Sequence, residues 1–245
     1  MDKMQLHQNK ELAMKFENGL ARENVLNGSF KDVQFFKCTI QSGCSFQPEL
    51  YAKEKFCQLF VCAEGIGTVH TPREIYKIDE VSLFIPEFDT EPIVFKAEEQ
   101  LTILQIIVQM DGYDRREMKA SRITLPRFRR VSEAWTYTEN FKTPGIRSCI
   151  LIEHRMLGRL SMGVVTGKGP AVVGEHIHNE LEQWYYVLPK ASFTYTSGAE
   201  KTSVYGGDLF HIPRGLPHGS ESADGVTFDY LWFELCVDGY PGQIE

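Results

Sequence analysis

The chain has 245 residues, of which 42% are hydrophobic and 24% are charged, a composition typical of folded globular proteins that excludes a disordered or fibrous chain. Its 26 Lys and Arg residues against 33 Asp and Glu residues give a formal net charge of -7. Because this charge repels phosphate backbones, we expect no nucleic-acid partner.

The N-terminal segment predicts neither a membrane partner nor export. No stretch approaches the roughly 18–20 apolar residues that cross a bilayer, and the opening MDKMQLHQNKELAMKFENG has no apolar signal-peptide core. We therefore expect a cytoplasmic protein. The apolar residues of this segment follow no regular spacing, and we interpret residues 1–29 as an N-terminal arm.

From Val33 onwards the sequence changes to short β-rich runs such as VQFFKCTI, CQLFVCAEG and LTILQIIVQM, separated by Gly, Pro and Asp. Many short strands without helical segments between them predict antiparallel sheets, because parallel strands need long crossover connections. We assign residues 30–115 to a first β-domain.

A charged segment, DGYDRREMKASRITLPRF, lacks strand alternation, and we interpret residues 116–139 as a linker. The β pattern returns from RSCILIEHRM to VTFDYLWFELCV, so residues 140–245 form a second β-domain. The halves also resemble each other: VSLFIPEFDTEPIVF and GDLFHIPRGLPHGSE each contain an apolar strand that ends in Ile-Pro before a turn. The sequence therefore predicts an all-β chain built from two copies of one unit.

The six cysteines occur without a CxxC pair, which favours reduced, buried thiols over a disulfide framework. Other catalytic motifs are missing. Neither AEGIGTV nor VTGKGP precedes the helix that a phosphate-binding loop requires, and no GxSxG motif is found. The chemistry must therefore be sought elsewhere in the chain.

Four of the seven histidines lie between positions 176 and 218. His176 and His178 in GEHIHNELEQWYYVL are two residues apart, so on a strand they project from one face and can share an ion. Gln183 or Glu182 can add an oxygen ligand, and His218 follows the rigid turn PRGLP. Three imidazoles and an oxygen ligand suit a divalent first-row metal with coordination positions left for substrate.

These residues resemble the two motifs of the cupin superfamily. Gly207, Pro213, Gly215 and His218 match the second motif in every spacing, with Ser222 where Asn is usual. The first motif is matched by the HxH pair and the oxygen ligand, although its leading glycine is displaced by one place and its closing glycine is missing. The resemblance implies two antiparallel cupin (jelly-roll) β-barrels in one chain, a bicupin, with the metal inside the C-terminal barrel.

The fourth ligand has two candidates. Counting back from Tyr-Val-Leu, the usual cupin ligand position falls on Gln183, which we favour, with Glu182 as the alternative. An amide leaves the full dipositive charge on the ion, whereas a carboxylate neutralises part of it.

The first half lacks the metal motif. Aligning QLFVCAEG with QWYYVLPK places Tyr51 and Lys53 opposite the HxH pair and Glu91 opposite His218. We therefore predict a degenerate N-terminal barrel and one divalent transition metal per chain, Mn, Fe, Ni or Zn, in the C-terminal barrel.

We interpret the protein as a metal-dependent cupin enzyme that acts on a small polar metabolite. The resemblance implies a sugar acid or organic acid, and isomerase, lyase or dioxygenase chemistry. The sequence identifies no catalytic acid or base beyond the nearby Glu175, Glu180 and Glu182. The alternative is a metal-containing protein that binds or senses a small ligand without turnover.

Three further residues are candidates for substrate binding. Tyr185 shares the strand face of Gln183, and Arg159 and Tyr195 could line the same cavity. His7, His70 and His154 show no pattern that suggests a role. Because paired cupin barrels tend to associate, we expect a homodimer.

Overall fold

The structure, a computed structural model, describes residues 3–11 and 14–241. In chain order the first eleven strands are β1 (Gln5–His7), β2 (Leu20–Phe30), β3 (Val33–Ile40), β4 (Ser45–Phe46), β5 (Phe56–Glu64), β6 (Gly67–His70), β7 (Ile75–Ile78), β8 (Ser82–Ile85), β9 (Val94–Ala97), β10 (Leu101–Gln109) and β11 (Arg127–Arg130). The next ten are β12 (Thr136–Tyr137), β13 (Arg147–Leu157), β14 (Leu160–Thr166), β15 (Ala171–His176), β16 (Leu181–Val187), β17 (Ser192–Ser197), β18 (Glu200–Tyr205), β19 (Leu209–Ile212), β20 (His218–Ser222) and β21 (Tyr230–Cys236). Helix α1 spans Gly112–Ser121, and short 3-10 turns span Asn9–Glu11 and Val131–Glu133.

The chain divides into two units, and the C-terminal unit comprises residues 3–11, 113–123 and 134–241. It has a seven-stranded sheet in the order β1-β19-β16-β21-β14-β13-β12 and a four-stranded sheet in the order β15-β20-β17-β18, with antiparallel pairing throughout. One hydrophobic core cluster draws side chains from both sheets. Strand β17, SFTYTS, alternates strictly between half-buried and buried positions, because successive residues of a strand face opposite sides of its sheet.

The N-terminal unit comprises residues 14–112 and 124–133 and has the same two-sheet architecture. Its six-stranded sheet has the order β11-β8-β5-β10-β3-β2 and its four-stranded sheet the order β4-β9-β6-β7. Aromatic side chains from both sheets pack in its core, with Phe60 and Phe84 each within 6.1 Å of Phe95, measured between ring centroids. The predicted all-β, jelly-roll fold class is confirmed, although the hydrogen-bonded sheets stay open rather than closing into barrels.

The unit boundaries differ from those that the sequence predicted. Within the predicted arm 1–29, β1 pairs with β19 and β2 is an edge strand paired with β3; residues 1, 2, 12 and 13 of that arm lie outside the described residues, as do residues 242–245 of the predicted second domain. Within the predicted linker 116–139, α1 belongs largely to the C-terminal unit, whereas β11 pairs with β8 of the N-terminal unit. Strands β1 and β11 are short and lack a clear sequence signal because their partners are distant in the chain.

All six cysteines are free thiols, and all except Cys44 are buried, which agrees with the expectation of reduced thiols. Burial raises the pKa of the Cys62 thiol to about 12, so this sulfur stays protonated and packs as an apolar group. Helix α1 has ten residues, and no helix in the described ranges is long and apolar enough to cross a membrane.

Candidate metal centre

The three predicted histidine ligands are carried by the four-stranded sheet of the C-terminal unit. Strand β15 ends at His176 and β20 begins at His218, and these two residues are register partners. His178 lies two residues beyond the end of β15, and its carbonyl oxygen accepts a hydrogen bond of 2.7 Å from the Gly215 backbone N–H. Gly215 has a φ of +79°, a left-handed conformation that favours glycine, so this turn fixes the His178 loop beside β20.

The fold brings the imidazoles of His176, His178 and His218 together. One ring nitrogen from each lies within 4.8 Å of the others, and in the described part of the chain this is the one group of three or more His, Cys, Asp or Glu side chains close enough to share an ion. The ring centroids of His176 and His218 are 4.4 Å apart. Two nitrogens bound to one ion at about 2.0–2.1 Å lie at most about 4.2 Å apart, so the three rings would have to move closer together to bind one ion.

Backbone carbonyls orient two of these rings. The Nδ1 atom of His176 lies 2.8 Å from the Gly174 carbonyl oxygen, and the Nδ1 atom of His218 lies 2.9 Å from that of Leu216. Since a carbonyl oxygen only accepts, each Nδ1 carries the proton and each Nε2 keeps its lone pair for a metal.

Burial favours the uncharged imidazoles that a metal requires. It is the main cause that lowers the pKa of His218 to about 3 and also lowers the pKa of His176. The Tyr185 hydroxyl oxygen lies 3.3 Å from Nε2 of His218, beside the position that the ion would occupy. The donor set therefore fits a divalent transition metal, with His176, His178 and His218 as the residues that would hold it.

The two candidates for the fourth ligand lie on opposite faces of β16. Gln183 lines the same cavity as the histidines, and its Nε2 donates to Oε2 of Glu234 at 3.5 Å, which leaves its Oε1 for an ion. Glu182 projects from the other face, where its Oε2 lies 2.7 Å from Nε2 of His211. Both residues of this Glu182–His211 pair are buried, so the geometry separates Glu182 from the histidine cluster.

A cavity of about 420 Å³ in the C-terminal unit contains the three histidines, a size typical of sites for small molecules. Its wall is largely aromatic, with contributions from Trp135, Tyr137, Phe141, Tyr185, Tyr195, Tyr230 and Trp232. Its other ionisable side chains are Glu139, Lys142, His154 and Glu234. None of these four residues was among the predicted site residues.

Glu234 is the ionisable residue in direct contact with the proposed fourth ligand. It is register partner to Gln183 in the β16–β21 pair and is 6% exposed. Its Oε1 accepts a hydrogen bond of 3.3 Å from the Tyr240 hydroxyl and lies 3.3 Å from Nε2 of His154. Glu234 is the one carboxylate in the apolar run YLWFELC, and it lies on the same strand face as the core residues Tyr230 and Trp232. That alternation is the sequence signal that could have identified Glu234.

Two of the three predicted substrate-binding residues line the cavity, and the third does not. Tyr185 and Tyr195 both line the cavity, with ring centroids 5.2 Å apart, and burial raises both hydroxyl pKa values. Arg159 does not line it, and that prediction is wrong. Its guanidinium forms a buried ion pair with Asp114 of α1, with an Nη2–Oδ2 distance of 2.8 Å.

The residues at the equivalent positions of the N-terminal unit have structural contacts instead. The side-chain amide of Gln58 accepts from the Tyr51 backbone N–H and donates to the Glu49 carbonyl, both at 2.9 Å. Glu91 pairs with Arg73 at 2.6 Å. Among the described residues of this unit, no His, Cys, Asp or Glu cluster of the metal-binding kind is found.

Comparison with solved structures supports the assignment of the fold. The putative glyoxylate induced protein of Pseudomonas aeruginosa is 11% identical with a TM-score of 0.77, and the similarity covers 100% of this chain and 93% of that one. A cupin 2 conserved barrel domain protein of Leptotrichia buccalis is 13% identical with a TM-score of 0.60, covering 96% and 98%. A variant of Bacillus subtilis oxalate decarboxylase is 13% identical with a TM-score of 0.69, covering 96% and 78%.

No protein-family model and no curated protein matches the chain. At 11–13% identity the structural similarity shows the fold and not the activity. The class that fold and site define is therefore an all-β protein that shares its jelly-roll fold with cupin proteins and has a histidine triad suited to a metal.

Proposed function

We propose that this protein is a bicupin enzyme that uses one divalent metal in its C-terminal unit to act on a small polar metabolite. The observation that carries the proposal is the convergence of His176, His178 and His218 in the wall of a cavity of metabolite size. An ion that prefers six ligands keeps open positions when the protein supplies four, and a site that opens into a cavity lets a substrate reach them. The substrate class that we propose is an organic acid or sugar acid.

Gln183 is the fourth ligand in this proposal, because it lines the cavity and Glu182 does not. Three imidazoles and an amide are all neutral, so the full charge of the ion remains available to a bound anion. We propose Mn, Fe, Ni or Zn as the metal; a structurally similar oxalate decarboxylase, that of Bacillus subtilis, contains Mn(II) centres.

The residues around the triad have roles in proton transfer and substrate binding in this proposal. When bound, the ion supplies Lewis-acid chemistry by polarising a substrate oxygen. Glu234 supplies a carboxylate whose Oε2 can accept a proton inside the cavity, while Tyr240 holds its other oxygen in place. The Tyr185 hydroxyl can donate a hydrogen bond to bound substrate, and the aromatic side chains give the cavity an apolar wall.

Metal analysis of the purified protein tests the first half of the proposal. We expect one divalent ion per chain by mass spectrometry, lost in His176→Ala and His218→Ala. The matched control is His154→Ala, which changes the same residue type in the same cavity outside the triad and should keep its ion. Absence of metal from wild-type protein after loading, or two ions per chain, contradicts the proposal.

Turnover tests the second half. A panel of small hydroxy acids, keto acids and sugar acids is incubated with loaded protein and followed by proton NMR, with His218→Ala as the blank. Consumption of one acid by the wild type alone supports an enzyme. An ion-containing protein that binds an acid tightly and never converts it would instead be a binding or sensing module.

A further inference from the structure

Lys142 is the one lysine or arginine in the wall of the described cavity. Its side chain is 9% exposed, a degree of burial that is rare for lysine. The ammonium donates to the Ser148 hydroxyl at 2.8 Å and lies 2.5 Å from Oε2 of Glu139. A cation is thus held inside a site whose proposed substrate is an anion.

The backbone around Lys142 is attached to the strand that carries the metal site. Lys142 forms an isolated antiparallel bridge with Val173 of β15, and the Gly174 N–H donates to the Phe141 carbonyl at 2.7 Å. The Phe141 ring then stacks on the His176 ring, with centroids 4.4 Å apart and an interplanar angle of 20°. The ammonium therefore has a fixed position relative to the histidine triad.

The contacts of Lys142 leave capacity for a ligand. An ammonium has three N–H donors, and Glu139 and Ser148 account for two of them. Burial lowers the pKa of Lys142, and the Glu139 carboxylate opposes that effect. The ion pair between Lys201 and Glu221, which joins two surface strands of the same unit, is much more exposed to solvent. Its side chains are 62% and 49% exposed.

The charges around the cavity also favour a monoanion. A dipositive ion on neutral ligands together with Lys142 contributes three positive charges, and Glu139 and Glu234 contribute two negative ones. The resulting charge of +1 inside a largely aromatic wall is neutralised by one carboxylate, and buried charge is costly unless it is paired.

We propose that Lys142 binds the carboxylate of the substrate, which makes it the residue that selects small carboxylic acids over neutral analogues. This inference rests on the proposed metal-dependent function and adds the group by which that site recognises its substrate. Glu139 is then a competing partner: it holds the ammonium in the absence of substrate and weakens the attraction of an incoming anion. Removing Lys142 should therefore weaken anion binding, and removing the charge of Glu139 should strengthen it.

The test uses full-length protein loaded with Mn(II), with glycolate and its neutral analogue glycolamide as probes in isothermal titration calorimetry. Loss of one charge-assisted hydrogen bond in Lys142→Met should weaken glycolate binding about tenfold or more. Glu139→Gln should strengthen it about threefold or more, because a nearby negative charge is removed. Binding of glycolamide should change less than about twofold in both variants, and Lys201→Met, a lysine in an exposed ion pair, is the control.

The double variant Lys142→Met/Glu139→Gln removes the pair without orphaning a buried charge, and it keeps the cavity charge at +1. It should still bind glycolate about threefold more weakly than the wild type, because the roughly tenfold loss from Lys142→Met is partly offset by the roughly threefold gain from Glu139→Gln. Equal glycolate affinity in the double variant and the wild type, or weaker binding in Glu139→Gln, overturns the assignment and makes the pair structural. Metal content measured first on each variant separates this outcome from failure of the proposed function, in which the wild type itself takes up no ion.

Discussion

Asp114→Ala should destabilise the C-terminal unit strongly, because it leaves the Arg159 guanidinium buried without its counter-charge. Asp114 and Arg159 are 2% and 5% exposed. The Asp114 carboxylate accepts hydrogen bonds from the Arg159 backbone N–H at 2.8 Å, from Nε at 3.1 Å and from Nη2 at 2.8 Å. The pair joins α1 to the turn between β13 and β14, so its loss affects both the helix and the large sheet.

Breaking a buried ion pair by removing one partner costs about 3–5 kcal/mol. For a unit of this size that corresponds to a fall in Tm of roughly 10 °C or more. Tryptophan fluorescence reports this unit selectively, because Trp135, Trp184 and Trp232 are the three tryptophans of the chain and all belong to it.

The matched control is Glu221→Ala, which breaks the exposed Lys201–Glu221 pair of the same unit. Such pairs contribute at most about 1 kcal/mol, so its Tm should stay within about 3 °C of the wild type. If Asp114→Ala and Glu221→Ala have the same Tm, the buried ion pair contributes no more stability than the surface pair, and the reasoning fails.

Gln183→Ala should lower the bound metal per chain more than Glu182→Ala does, as measured by mass spectrometry; the reverse order would reassign the fourth ligand. Glu234→Gln should keep its metal and lose about 100-fold or more in turnover of the acid that the wild type consumes, whereas unchanged turnover would remove Glu234 from proton transfer. We also propose that the protein is a homodimer, for which light scattering should give twice the chain mass; a monomer at every concentration would refute it.

The sequence predicted the features that depend on neighbours along the chain. Alternating apolar residues and turn residues predicted antiparallel strands, and the structure confirms the all-β fold class. The Pro-Arg-Gly-Leu-Pro turn and the two-residue spacing of His176 and His178 predicted the cluster that the structure brings together with His218. Turn conformation is readable because it is set by a few consecutive residues. The strand placement of the pair was wrong for His178, which lies beyond the end of β15.

The choice between Glu182 and Gln183 shows where local reasoning ends. Adjacent strand residues must face opposite sides, so the sequence alone established that one of them at most joins the histidines. Which of the two faces the cavity depends on how β16 pairs with β21 and on which side the four-stranded sheet packs.

Tertiary structure alone decided the remaining features. The pairing of β1 with β19 and of β11 with β8 moved segments that the sequence placed in an arm and a linker into sheets. Arg159 could equally have faced a cavity or a partner, and Asp114, distant in the chain, determined the result. Lys142 has no sequence signal, because its position follows from a backbone bridge to β15. Contacts between residues far apart in sequence form only when the sheets pack, so these parts of the site could be read only from the folded chain.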